Sequence, residues 1–185
     1  MRSANLAVVT ASFGAYQNRL GAEWLLREVW PNVCRERPDA QLQLVGRNST
    51  DLAPLAGRWP NVTCSGEVDS ASDHLRRAAL SLVPLHHASG SRVKILESWA
   101  CGTPVVSTSL GAAGLEVAEG DGLVLADTAA EFARAIVTLL SDARQRDLLA
   151  ERGRVLLRQN YSFPVNTARL DQLLADALKL RDEQL

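Results

Sequence analysis

The chain has 185 residues, 46% of them apolar and 22% charged, and its 20 basic and 21 acidic side chains leave a formal charge of −1. That size fits one domain around a single core, and that composition indicates neither a disordered tail nor a coiled coil. No run of Lys or Arg makes the footprint expected for duplex nucleic acid, so nucleic acid is not an expected partner.

Cys34, Cys64 and Cys101 are odd in number and widely spaced, and with His74, His86 and His87 they form no zinc quartet. They read as buried free thiols of a reducing compartment. The apolar run over residues 6–9 is too short for a signal-peptide core, and no stretch approaches the roughly 18 apolar residues of a membrane span. A soluble, cytoplasmic protein is expected.

Short β-rich runs alternate with segments of helical period, which predicts an α/β fold around an open, mainly parallel sheet with helices on both faces. Six strands are predicted over 6–10, 41–45, 62–65, 80–83, 104–107 and 122–125. Leu26, Val29, Trp30 and Val33 recur at helical spacing, predicting a helix over 20–37 that ends at Pro38. Shorter helices are predicted over 50–58 and 70–78. Another starts near Gly90 and Ser91 and runs to Ala100, with Gly102 as its stop. Helices dominate from Thr128 onward: Phe132, Ala135, Ile136, Leu139 and Leu140 mark one, and Leu148, Leu149, Val155 and Leu156 a second. A third follows Pro164, with an apolar stripe of Leu170, Leu173, Leu174, Ala177 and Leu178.

The chain lacks a Walker loop, a Gly-x-Gly-x-x-Gly fingerprint, a Gly-x-Ser-x-Gly elbow and a His-Glu-x-x-His helix. It also lacks Asp-x-Asp, so no metal is expected, and protein groups must neutralise any bound phosphate. Residues 89–106 can do so. Gly90 permits close backbone approach, and the small-residue turn running into a helix offers N–H groups to an anion. Arg92 and Lys94 in the first turn oppose the helix dipole unless an anion sits there. Lys94 and Glu97 share a helix face, and Ser91 to Glu97 spans roughly 9 Å, the scale from a diphosphate to ribose hydroxyls. The same residues also fit a solvated charge, an ordinary surface pair and a chain-turning glycine. His86 and His87 read as surface or packing residues, and Trp99 as core. Asn18, in the loop after the first strand, fits a turn or helix-cap role.

The segment over 90–97, followed by 100–108, resembles the donor-binding signature of family-4 (group 1) glycosyltransferases of the GT-B fold. Residues 28–31, 38–40 and 44–46 resemble the first strand-helix units of those enzymes' carboxyl-terminal domain, and residues 111–115 and 161–163 its later landmarks. Asn18 also matches a position in that family.

The resemblance implies a Rossmann-like half over 1–163 that grips a nucleotide-diphosphate sugar, and a C-terminal helix over 164–185 that packs on it or toward an amino-terminal domain. It implies that backbone groups at Ser89, Gly90 and Ser91, with Arg92 and Lys94, hold the diphosphate, while Glu97 accepts from ribose. It further implies retaining, metal-independent transfer with no cofactor, Arg92 and Lys94 stabilising the leaving group. Eight positions before Glu97, where the family often has a second Glu, stands Ser89. The acceptor domain is expected outside this chain, which would then be a fragment, a truncated product or one piece of a split enzyme. The alternatives are a non-catalytic nucleotide-sugar-binding module and a GT-B epimerase fragment.

Overall fold

The structure, a computed structural model, describes residues 2–87, 92–117 and 120–182, with side chains through Ala177. Six strands form one sheet: β1 (Leu6–Thr10), β2 (Gln41–Val45), β3 (Val62–Cys64), β4 (Leu80–Val83), β5 (Val105–Ser107) and β6 (Leu123–Leu125). Their order is β3-β2-β1-β4-β5-β6 and every pairing is parallel. The sheet is therefore wholly parallel where a mainly parallel one was predicted. The buried strand sequences explain this, because Ala7, Val8, Val9 and Leu80 to Val83 are covered on both faces.

One face carries α1 (Tyr16–Trp24) and α2 (Trp30–Glu36), and later α3 (Ala53–Ala56) and α7 (Ala129–Ser141); their apolar sides share a core with β1, β2 and β4. The other face carries α4 (Ala71–Arg77), α5 (Val93–Ala100) and α8 (Ala143–Asn160). The short α6 (Ser109–Ala112) joins β5 to β6.

The single helix predicted over 20–37 is α1 and α2 joined by a π-helical turn at Leu25–Val29. Pro31 accounts for the break: it lacks an N–H and its ring crowds the carbonyl four residues back, which the wider turn relieves. The predicted helix over 50–58 resolves into a 3-10 turn at Ser49–Leu52 followed by α3. Of the three thiols Cys101 is buried, whereas Cys34 and Cys64 are half-buried; all three are free.

Thr128 begins α7 with a capping box. Its hydroxyl accepts from Glu131 N–H at 3.2 Å, and its own N–H donates to the Glu131 carboxylate at 3.1 Å. Replacing Thr128 by Ala should cost about 1 kcal/mol, read as a lower urea midpoint with an unchanged slope.

The final helix α9 (Phe163–Asp182) stands apart from the core. Leu170, Leu173 and Leu174 are 56%, 67% and 56% exposed, and Phe163 is 82% exposed. The stripe is thus uncovered by the rest of the described residues; Leu178's side chain lies outside the description. No helix among the described residues is long and apolar enough to cross a membrane.

Candidate nucleotide site

In this strand order the chain reverses direction across the sheet between β1 and β4, so a crevice opens at their carboxyl ends. Beside it, at the carboxyl ends of β1 and β2 and against α5, lies a cavity of about 390 Å3. Its floor is the end of β1 (Thr10, Ala11, Ser12) and the end of β2 (Val45, Gly46), and one wall is Lys94 and Glu97 of α5. Arg47 and Glu67 stand on the opposite wall as an exposed pair 3.8 Å apart.

The positioning of α5 follows from its two ends. At its carboxyl end the Thr103 N–H closes onto the Ser98 carbonyl at 2.8 Å and the Gly102 N–H onto that of Trp99 at 2.9 Å. Gly102 has φ +66°, the left-handed conformation this ending requires and the predicted stop. Within the helix, Ser98 Oγ donates to Ser81 Oγ of β4 at 2.8 Å, and the fully buried Trp99 donates from its indole to the Gly122 carbonyl at 2.9 Å. Trp99 is core, as its sequence context predicts.

At the amino end the structure corrects the sequence reading. Arg92, at φ −87° and ψ 38°, precedes the helix, which begins at Val93; only Lys94 of the two cations lies in the first turn. A non-helical Arg92 can turn its guanidinium away, and Nε donates to the Ala113 carbonyl at 2.6 Å. Arg92 is not part of the lining of the 390 Å3 cavity. Ser89, Gly90 and Ser91 lie outside the described residues.

Lys94 and Glu97 are brought together as their spacing predicts. Lys94 is half-buried, Glu97 exposed. Burial pushes the Lys94 ammonium below the ordinary lysine range; the Glu97 carboxylate partly opposes this, and Arg92 adds to it. An amine at this site is thus a cation held partly out of water, with its nearest carboxylate one turn away.

Sequence reasoning missed Thr10, Gly46, Arg47 and Glu67 as lining residues. Each sits at or just beyond the carboxyl end of a predicted strand, and that was the available signal. It also underrated Asn18, which is buried at 9% exposure. His86 and His87 are exposed; the His86 ring meets Trp24 edge to face at 4.3 Å, a packing role. Among the described residues no group of three or more His, Cys, Asp or Glu could hold a metal ion.

Residues 5–142 match the family described as glycosyl transferases group 1. The chain belongs to that family. Among its curated relatives, the lipopolysaccharide core biosynthesis glycosyltransferase LpsE of Rhizobium meliloti (strain 1021) is 32% identical over 176 residues, 91% of this chain and 50% of the relative. The chain thus spans half the length of that relative. Its fold is that of the Rossmann-like halves of GT-B glycosyltransferases. The carboxyl-terminal domain of a group 1 glycosyl transferase (LpcC) from Francisella tularensis superimposes with a TM-score of 0.66 at 18% identity, over 85% of this chain and 86% of that one. Anabaena HepE, solved in complex with UDP, gives 0.73 at 19% identity over 95% of this chain and 48% of its own.

Proposed function

We propose that this group 1 chain is the carboxyl-terminal, donor-binding half of a family-4 glycosyltransferase, spanning 1–163 with the helix over 164–185 as an appendage. It would act in the cytoplasm on a nucleotide-diphosphate sugar by a retaining mechanism. The observation that carries the reading is the half-buried Lys94 beside the exposed Glu97, on a cavity at the carboxyl ends of β1 and β2. A partly desolvated ammonium is poorly satisfied by water and well satisfied by a phosphate. Glu97, an acceptor one turn further along, suits ribose hydroxyls. A fold neighbour, Anabaena HepE, was solved with UDP, which supports the same class of ligand here.

In the transfer step, negative charge develops on the departing diphosphate as the sugar acquires oxocarbenium character. Lys94, Arg92 once its guanidinium leaves the Ala113 carbonyl, and backbone N–H groups over 89–91 would supply a positive field at that charge. These groups replace a divalent ion, so binding is independent of added metal. The acceptor site would come from a domain or subunit outside these 185 residues. The exposed leucine stripe of α9 is consistent with such a partner.

Calorimetry with UDP, GDP and ADP, each with and without a chelator, tests the reading. At least one nucleoside diphosphate should bind equally well in both conditions. Strict dependence on magnesium would overturn the metal-independent mechanism, and absence of binding by all three would overturn the donor-site assignment.

A further inference from the structure

Asn18 presents an unusual feature for a buried amide. Its Nδ2 donates to the Ser12 carbonyl at 2.8 Å, which fixes the amide plane. Its Oδ1 is the one buried side-chain oxygen or nitrogen among the described residues without a hydrogen-bond partner. A buried amide oxygen left unpaired is costly, so an acceptor held in this way implies a donor.

The surroundings identify the donor. Asn18 lines a small cavity of about 10 Å3 whose walls include Val9, Leu82, Val83 and Leu85, and among the described residues the only other polar side chain on it is that of Lys94. The cavity is narrow because α1 lies against the end of β4. A Cβ on Gly21 would run into the Pro84 carbonyl oxygen, so only glycine permits that approach. No hydrogen bond or ion pair joins Lys94 Nζ to another described residue, and four rotatable bonds let the ammonium turn either into this cavity or out to the larger cleft, which Lys94 also lines.

We propose that Asn18 is a positioning residue for Lys94: its orphaned Oδ1 accepts a hydrogen bond from the Lys94 ammonium and so anchors that charge on the α5 wall, where the small cavity meets the cleft. The consequence for ligand binding rests on the donor-site reading above; the pairing itself does not. An acceptor facing the ammonium favours the protonated amine against the burial that opposes it. The charged groups that also face Lys94 are Glu97 and Arg92 on its own segment, with Arg47 and Glu67 across the cleft.

The test reads Lys94 directly. The chain has two lysines, Lys94 and Lys179, so acetic anhydride labelling as a function of pH, resolved by peptide mass, reports Lys94 with Lys179 as internal reference. Asn18→Leu should lower the Lys94 midpoint by about half a unit to one unit, and Asn18→Asp should raise it by a similar amount. A structural disturbance alone would move both variants the same way, and that result, or no movement in either, would overturn the proposal. Should Asn18→Leu fail to fold, the Asp variant decides by the direction of its shift.

UDP and GDP affinities measured on the same variants separate the two readings. Shifted labelling without nucleotide binding by the unsubstituted chain would sink the donor site and leave the pairing standing. Binding that weakens fivefold or more in Asn18→Leu while Lys94 titrates unchanged would place Oδ1 on the ligand and overturn the positioning role.

Discussion

Replacing Lys94 by Met is expected to weaken nucleoside-diphosphate binding by at least tenfold and, at the same time, to raise thermal stability. The two signs come from one cause. A charge-assisted contact to phosphate contributes about 1.5 to 3 kcal/mol, and about 1.4 kcal/mol is a factor of ten in affinity. In the free chain, though, burial disfavours the same ammonium more than Glu97 favours it, so its pKa is lowered. The unfolded chain therefore holds the proton more tightly than the folded one between the lowered value and the ordinary 10.5. Stability then rises with pH across that window, and below it the charged amine is a net cost to the fold. Methionine keeps the aliphatic stem and removes that cost, and the Asn18 Oδ1 it leaves without a donor offsets only part of the gain. The pH dependence of binding has the opposite sign: affinity should fall as pH rises through the Lys94 pKa, and binding in that range should take up a proton, seen as a buffer-dependent enthalpy. Differential scanning calorimetry and titration calorimetry on one preparation check both signs. A Met variant that loses affinity and stability together would show that Lys94 supports the fold rather than the ligand. Arg92 must first leave the Ala113 carbonyl to reach a phosphate, so Arg92→Ala tests that movement: a loss of affinity of about tenfold is expected where the guanidinium swings to the ligand, and an unchanged affinity would remove Arg92 from the site.

The residues that made the fold legible are those whose burial is two-sided. The runs at Leu6–Thr10 and Leu80–Val83 are largely apolar and covered on both faces; Gln41–Val45 was legible instead by its alternation, with Leu42 and Leu44 buried and Gln41 exposed, and the structure has all three with the predicted bounds. Gly102 announced the end of α5 because an L-residue rarely adopts the φ it needs. Less legible was anything decided by a neighbour distant in sequence. The π-helical turn at Leu25–Val29 follows from Pro31 meeting a helix already committed to the sheet, and apolar periodicity is blind to it. The first turn of α5 was placed too early because basic residues near a glycine fit either side of a helix start. Lys94 and Glu97 could be paired from their spacing alone; Asn18 could not, since its burial depends on α1 meeting the end of β4. The opposite wall, Arg47 and Glu67, comes from two loops that sequence leaves 20 residues apart.

The largest stability effect is expected at Trp99, the side chain that fixes the helix carrying Lys94. Its indole is fully buried between β5, β6 and α8, and donates to the Gly122 carbonyl. Trp99→Ala should cost about 3 to 5 kcal/mol, a large share of the 5 to 15 kcal/mol that holds a domain of this kind together. Trp99→Phe should cost less in packing but loses the hydrogen bond to the Gly122 carbonyl. The sharper test lies on the facing helix. Gly153 sits in the interior of α8, where alanine would ordinarily add about 1 kcal/mol of helix stability. Here a Cβ on Gly153 would collide with Trp99 Cδ1 and come within 2.7 Å of Nε1. An indole buried on every side cannot give way, and overpacking of this kind costs about 1 to 3 kcal/mol. Gly153→Ala is therefore expected to destabilise, against its helix propensity, and to weaken nucleoside-diphosphate binding as α5 shifts under Lys94 and Glu97. Urea unfolding of Gly153→Ala beside an exposed control, Glu151→Ala in the same helix, decides it. If Gly153→Ala proves the more stable of the two, Trp99 does not hold α5 against α8 in the way described.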